Sequence, residues 1–208
     1  MITSASGKKQ RKITSLPAPG RRARSLDLSE ASSAAGVAQA CQIYVGLESA
    51  TELACDPVER GAVRRFCQAI ADEDPIYWQP TAANRKYGGP VAPPLFPGHM
   101  FRRPFGAPDP LTLRADDPDF DGIGPTSSPG LPELEPLKGY ALLNGGVEVE
   151  LLRYARHGES VGMKSRYKAI SGKETSKGPM IFVVIESEYR TDAGELLLRT
   201  RRTLIRRR

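Results

Sequence analysis

Alternating apolar and polar positions in the last third of the chain predict a run of β-strands. Val147, Val149 and Leu151 alternate with two glutamates, the period-2 pattern of a strand with one buried face. Because the connections between the strands are short, we expect consecutive strands to be antiparallel neighbours. Three further strands are predicted, over residues 159–170, 180–189 and 196–205.

Apolar residues at helical spacing predict one main helix ahead of these strands. The helix is expected to begin at the Asp56–Glu59 cap signal, which combines an N-cap acceptor, a proline and an acidic residue. It is expected to end near Asp72, because Pro75 disfavours helical geometry in the residue before it. A strand over 49–55 and a short helix over 80–87 are predicted on either side. One helix followed by long strands predicts an α+β fold in which an antiparallel sheet wraps a helix.

Composition divides the chain of 208 residues into an extension and a single domain. Residues 1–45 are rich in Ser, Ala and basic residues and contain little that could form a core, so we expect a disordered extension. Residues 46–208 then form the domain. Within it, residues 97–143 are predicted to be irregular, because twelve of the 18 prolines lie between Pro90 and Pro136. A loop of this length inside a domain is usually functional or mobile.

The distribution of charge argues against a nucleic-acid partner. The formal net charge is +6, but residues 1–40 carry seven basic and two acidic side chains, so the rest is nearly neutral. No apolar run approaches the roughly 18 residues of a membrane span. Two histidines and three cysteines show no zinc-ligand spacing, so no metal is expected. We expect reduced thiols and a cytoplasmic location, although the basic, Ser-rich N-terminus also has the composition of an organellar transit peptide.

The sharpest local feature is the segment Ala71-Asp72-Glu73-Asp74-Pro75-Ile76-Tyr77. It places two carboxylates at a chain reversal just beyond the predicted end of the helix. A helix stop with an Asx turn also explains this pattern, so the segment alone does not decide between structure and chemistry.

The segment resembles the signature of the MaoC-like hydratases and dehydratases, Gly-Asp-x-Asn-Pro-Ile/Leu/Val-His. Asp72 stands at the place of the catalytic Asp, Pro75 matches, and Tyr77 stands at the place of the catalytic His. The order of further motifs is similar to the N-terminal, FAS1-like dehydratase branch over about residues 46–206. These motifs are Val58–Phe66, Tyr87–Pro94, Leu143–Glu148, Gly178–Val183 and Asp192–Leu196.

The resemblance implies a single hot-dog fold and a substrate carried as a thioester of coenzyme A or acyl carrier protein, with no other cofactor. In complete members of the family, the Asp and His activate a water that adds to a trans-2-enoyl thioester, or the reverse reaction eliminates it. Tyr77 departs from this pattern, because a phenol with an ordinary pKa of about 10 replaces an imidazole poorly in proton transfer. His99 is the candidate that could reach the pocket and substitute in part.

Substrate-binding candidates come from three other places. Asn144, Gly145 and Gly146 precede a strand, where glycines allow close approach of a ligand to backbone N–H groups; a plain turn explains them equally well. Pro93 lies within Tyr87–Pro94, a stretch that matches the family. Arg102 and Arg103 could meet the phosphates of coenzyme A, or lie in a solvated loop.

We therefore expect the substrate-binding subunit of a two-part hydratase/dehydratase, paired with a MaoC-like subunit that carries the complete Asp–His pair. The alternative is a non-enzymatic module that binds an acyl thioester or serves as a scaffold. The identity of the acyl group, fatty or steroid, stays open at this level.

Overall fold

The fold is described from a computed structural model, over residues 32–101, 105–118 and 130–208. Five strands and four α-helices lie in these ranges, together with four short 3-10 turns. The helices are α1 (Ala34–Ala40), α2 (Arg60–Ile70), α3 (Phe96–His99) and α4 (Pro110–Leu113). The strands are β1 (Glu52–Leu53), β2 (Ala141–Leu151), β3 (Val161–Thr175), β4 (Gly178–Thr191) and β5 (Leu196–Arg207).

The strands form one antiparallel sheet in the order β1-β3-β4-β5-β2. The predicted α+β class and the long antiparallel sheet are confirmed, and β3, β4 and β5 form the expected meander. The expectation that every consecutive pair of strands is adjacent is wrong for β2. This strand pairs with β5 at the far side of the sheet, because the segment after Leu151 carries the chain to the opposite side before β3 begins.

Two groups of apolar residues pack on one face of the sheet, which we call the inner face. The first group joins α1 to the ends of β3 and β4 and includes Tyr167 and Ile185. The second group joins α2 and α3 to the other end of the same strands and includes Met163 and Tyr189. The helical layer therefore covers the inner face of β3 and β4 from two sides.

Helix α1 corrects the expected domain boundary. Composition predicts a disordered extension through residue 45, but Ala34, Val37, Ala38 and Cys41 are buried in the core. The N-terminus of the helix is held by the Ser33 hydroxyl, which accepts from the Gly36 N–H at 3.1 Å. The Ala34 N–H also donates to the Glu174 carboxylate of β3 at 2.5 Å. Packing on the sheet thus orders a segment whose composition alone predicts no structure; residues 1–31 lie outside the described ranges.

The start of α2 also differs from the prediction. The helix begins at Arg60, not at the Asp56–Glu59 signal. Val58 is buried instead, and its N–H donates to the Glu159 carbonyl while its carbonyl accepts from the Gly158 N–H, each at 2.9 Å. These two bonds to the turn before β3 hold Val58 out of the helix, and long-range pairing overrides the local cap signal.

Short elements interrupt the segment predicted to be irregular. Helices α3 and α4 have four residues each, and the 3-10 turn Glu135–Leu137 packs into the first apolar group. Strand β2 begins at Ala141, inside the range predicted as loop. Among the described residues, no helix is long and apolar enough to cross a membrane.

Charged side chains cross the outer face of the sheet in two rows. Each row takes one residue from β3, β4, β5 and β2 in turn, so the sign of the charge alternates from strand to strand. The first row is Arg166, Glu186, Arg201 and Glu148, and the second is Lys164, Glu188, Arg199 and Glu150.

Glu186 is the most buried charge in these rows, with its side chain 2% exposed. It accepts hydrogen bonds from Arg166 Nε at 2.9 Å and from Arg201 Nε at 2.8 Å. Burial raises the pKa of this carboxyl, but the hydrogen bonds from the two arginines outweigh that effect and lower the pKa to about 2.

We expect Glu186→Gln to lower the free energy of unfolding by about 2 kcal/mol near neutral pH, because it removes the charge that compensates two arginines. In the native chain, stability should stay level above pH 4.5 and fall as the pH drops from 4.5 toward 2. In that range the unfolded carboxylate binds a proton and the folded one does not. Urea denaturation at neutral and acidic pH measures both effects. Glu148→Gln is the matched control, since its side chain is 81% exposed, and an equal loss in both variants would contradict the expectation.

Candidate functional site

The C-terminus of α2 presents the Asp72 segment through a left-handed residue. Ala71 has φ 54°, and no other non-glycine residue that the structure describes has a positive φ. The Asp72 N–H then donates to the Cys67 carbonyl at 3.0 Å, which closes the helix and reverses the chain. Glycine adopts this conformation without a steric penalty, which is a physical reason for the glycine that the family signature has at this place.

Both carboxylates of the segment also hold the backbone. Asp72 Oδ1 accepts from the Asp74 N–H at 3.2 Å, and Asp74 Oδ1 accepts from the Ile76 N–H at 3.0 Å. The second bond caps the 3-10 turn Pro75–Tyr77. The Asx-turn interpretation of this segment is therefore correct for the backbone, and Asp72 keeps further acceptor capacity for a side chain.

Tyr77 lies beside Asp72. Its side chain is buried in the second apolar group, and the Asp72 carboxylate is near enough for its charge to act on the phenol. Burial first, and then the charge of Asp72, raise the pKa of the Tyr77 phenol well above its usual value. At neutral pH the phenol therefore stays protonated, and it is a poor base for water.

A cleft of about 780 Å³ runs along one side of α2 and ends at Asp72. Arg60 and Arg64 lie one helical turn apart on its wall, and Arg60 donates to the Trp78 carbonyl at 3.2 Å. Helical spacing places Arg60, Arg64 and Gln68 on one side of α2, but nothing in the sequence indicates that they line a cleft. Trp78 also lines the cleft, because the turn after Asp72 brings it back to the helix. The helical pattern of α2 alone cannot predict that contact. The volume is in the range of small-molecule sites.

His99 and Pro93 lie on the segment around α3. The imidazole of His99 is exposed, and its centroid lies 5.2 Å from that of the Phe66 ring and 6.5 Å from that of Phe96. Pro93 is buried, and its carbonyl accepts from the Phe96 N–H that opens the single turn of α3. Neither residue lines the cleft at Asp72.

The Asn144–Gly146 group forms a β-bulge in β2, where the register with β5 shifts between Asn144 and Val147. The Gly146 N–H, at φ 111°, donates to Asn144 Oδ1 at 3.0 Å. A Cβ on Gly145 would come within 2.9 Å of Thr203 Cγ2, so the bulge lies tightly on β5. The close approach expected at Gly145 is therefore present, but it is an approach to strand β5 and not to a ligand. Arg102 and Arg103 lie outside the described residues.

The structure thus brings together Asp72 and Tyr77 from the predicted set. Asn144, Gly145 and Gly146 belong to β2, and His99 and Pro93 to the segment of α3. Within the described ranges, no group of three or more His, Cys, Asp or Glu side chains is placed to hold a metal ion.

Comparison with known proteins gives one family and several solved structures. Residues 44–200 match the family described as "FAS1-like, dehydratase domain region". The fold is similar to a chain of the ChsH1-ChsH2 complex from Mycobacterium tuberculosis, at 23% identity and a TM-score of 0.57, over 82% of this chain and 88% of that one. A MaoC-like dehydratase from Rhodospirillum rubrum matches at 20% identity and a TM-score of 0.49, over 79% and 93%. No curated protein matches the sequence.

Proposed function

This chain belongs to the FAS1-like dehydratase family, within the MaoC-like hot-dog proteins, and on that premise we propose that it is the substrate-binding subunit of a two-part enzyme. The reaction is hydration of a trans-2-enoyl thioester to a (3R)-3-hydroxyacyl thioester, or its reversal. A partner subunit of the same fold supplies the complete Asp–His pair.

The observation that carries this proposal is the burial of Tyr77 beside Asp72, at the place where the family signature has its histidine. Hydration needs a group that takes a proton from water and a group that gives a proton to C2 of the substrate. The pKa of Tyr77 is raised by burial and by the charge of Asp72, so the phenol stays protonated at neutral pH. Asp72 already accepts from the Asp74 N–H. This pair is suited to holding a turn, and the proton transfer falls to another subunit.

Two further features support a binding role. Helix α3 has a single turn, Phe96–His99, so the helical layer is short on this side of the sheet. A short helix here is what a subunit that accepts a bulky acyl group would need. The cleft at Asp72 offers two arginines and Trp78 to the polar carrier part of a thioester. The carrier, coenzyme A or acyl carrier protein, enters with the substrate, and the chain itself uses no other cofactor in this proposal. The Asn144 side chain at the bulge remains a candidate contact for the thioester.

Exposed apolar side chains support a partner subunit. Val147, Val149 and Leu151 lie on the inner face of β2 and are 53%, 42% and 38% exposed, although their alternation predicts a half-buried strand. Leu152 beside them is also exposed. An apolar strand face that stays this exposed is typical of an interface. The two-chain ChsH1-ChsH2 complex, similar in fold, supports a heteromeric assembly.

The proposal is tested by assaying hydration of crotonyl-CoA and of longer or bulkier enoyl-CoAs. The full chain is assayed alone, and then with a chain that carries an intact Gly-Asp-x-Asn-Pro-x-His motif, for which the neighbouring open reading frame is the first candidate. We expect no turnover with the chain alone, measurable binding of the acyl-CoA, and turnover in the mixture.

Two results would count against this function. Strong hydration by the chain alone, abolished by Tyr77→Phe or His99→Ala, would show that the chain is catalytic by itself. Binding of acyl-CoA without turnover in any combination would instead favour the non-enzymatic thioester-binding or scaffolding role, which the incomplete Asp–His pair also fits.

A further inference from the structure

Strand β5 carries arginines on both faces of the sheet, and Arg202 lies apart from the two charged rows. Arg199 and Arg201 belong to those rows on the outer face. Arg202 alternates with them and lies on the inner face, where its direct neighbours are Ile185 of β4 and Val147 of β2. The residue is half-buried, and this burial lowers the pKa of its guanidinium from the usual value. A cation therefore stands partly out of water on an otherwise apolar face.

A row of hydroxyl side chains lies next to Arg202 on the same face. Ser165 of β3, Ser187 of β4 and Thr200 of β5 face one another across the strands. The Oγ atoms of Ser165 and Ser187 lie 2.7 Å apart and share a hydrogen bond, and both serines are buried. The row separates the first apolar group of the inner face from the second. Polar groups therefore interrupt the core along one line across the sheet.

The end of this line toward β2 is open. Val147, directly opposite Arg202, is 53% exposed, and Val149, directly opposite Thr200, is 42% exposed. A ligand that lies on the inner face of β2 would contact apolar side chains along its length. It would meet the Arg202 guanidinium and the Thr200 hydroxyl at the boundary with β5. A mainly apolar surface with a few placed polar groups is the usual composition of a small-molecule site.

We propose that Arg202 and Thr200 form a subsite that selects acyl groups with a carboxylate at the end remote from the thioester. The inference rests on the proposed function for the thioester and names the class of its acyl group. A guanidinium donates two parallel hydrogen bonds to a carboxylate, and the Thr200 hydroxyl can donate a third. An unsubstituted chain end would displace water from the guanidinium and give it no hydrogen bond in return.

The place of Arg202 along β5 sets the expected position of that carboxylate. Arg202 stands four residues, or about 13 Å, from Leu198, which packs in the same apolar group as Tyr77. The polar subsite is therefore separated from the part of the core that holds the signature segment. This separation suits a substituent at the far end of an acyl chain of medium length.

Binding of three coenzyme A thioesters to the native full chain tests the subsite. The thioesters share a medium-length 2-enoyl group and differ only at its far end, which is a carboxylate, the corresponding primary amide, or a methyl group. Because the coenzyme A part is the same, the ratio of the dissociation constants depends on the chain end alone. We expect isothermal titration calorimetry to give at least about tenfold tighter binding of the carboxylate than of the methyl ligand, with the amide between them.

Two variants connect this preference to Arg202. Arg202→Met removes the charge and keeps a side chain of similar length, and we expect the preference to fall below about twofold. Arg206→Met is the matched control, because Arg206 lies on the same face of the same strand and donates to the Tyr140 carbonyl at 3.2 Å. It should keep the native preference. Circular dichroism establishes that each variant is folded, and Arg202→Lys, expected to reduce the preference at least about threefold, replaces a methionine variant that is not.

The results separate this inference from the proposed function. Native binding of the carboxylate no tighter than of the amide or the methyl ligand overturns the subsite, and so does a preference that survives in the folded Arg202 variant. Loss of the preference in the Arg206→Met control also counts against it, because the effect would then follow from charge anywhere on β5. In each of these cases acyl-CoA still binds, so the proposed function stands. Failure of all three thioesters to bind contradicts the proposed function, and the inference with it.

Discussion

Replacing the signature histidine of the partner subunit with alanine is expected to lower turnover of the assembled enzyme by about 10²- to 10⁴-fold, the usual contribution of a positioned general acid or base. Asp72→Asn or Tyr77→Phe in this chain should change turnover by less than about threefold. The physical reason is that the Tyr77 phenol is held protonated by burial and by Asp72. The measurement is the rate of enoyl-CoA hydration under saturating substrate.

A stability measurement separates this result from loss of folding. Tyr77→Phe removes a buried hydroxyl beside Asp72, and we expect it to change the free energy of unfolding by about 1 kcal/mol or less. Because the pKa of Tyr77 is raised in the folded chain, the native chain should lose stability as the pH rises above the ordinary pKa of 10, and the Tyr77→Phe variant should not share that loss. A large fall in turnover in a variant that remains folded and bound to the partner would contradict the division of roles.

The largest loss of stability is expected from Gly172→Ala in β3. A Cβ at this position would overlap the carbonyl group of Ala34 and lie 2.6 Å from its carbonyl carbon, so the start of α1 would have to move away from the sheet. We expect the free energy of unfolding to fall by about 2–3 kcal/mol, as for other overpacked sites. Thermal or urea denaturation of the full chain measures the change.

Gly162→Ala in the same strand is the matched control. Its Cβ would meet the Thr51 and Leu53 side chains at 3.2 and 3.3 Å, and these can move where a helix backbone cannot. A loss of about 1 kcal/mol or less is expected there. Equal losses in the two variants would show that α1 does not lie on Gly172 as described.

Local pattern was sufficient for the elements whose periodicity agrees with their packing. The meander of β3, β4 and β5 follows from alternation over residues 159–205, because a strand with one buried face must alternate. The end of α2 near Asp72 follows from Pro75. The short helix predicted over 80–87 is wrong in its extent, since only the 3-10 turn Arg85–Tyr87 forms there, but Gly88 ends that turn as expected, with φ 83°. The Asp72 segment can be recognised from the sequence because it keeps the Asp, Pro and Ile of the family signature, although Tyr77 stands in place of the histidine.

Local pattern failed where a distant contact outweighed it. Composition places the residues of α1 in the extension, because Ala-rich sequence has little apolar surface, yet small side chains are what allow the helix to lie on Gly172. The cap signal at Asp56 was overridden by the two bonds from Val58 to the turn at Gly158 and Glu159. Neither contact can be recognised from the residues next to it in the sequence.

The sequence by itself determined the class of fold, the family, and the absence of the signature histidine, because periodicity and motif are carried by neighbouring residues. The tertiary structure decided what the remaining residues can do. It buried Tyr77 beside Asp72 and thereby raised the pKa of the phenol, and it placed β2 beside β5, at the end of two rows of alternating charge. Both outcomes depend on burial and on pairing between residues far apart in the chain, and those quantities exist only once the chain has folded.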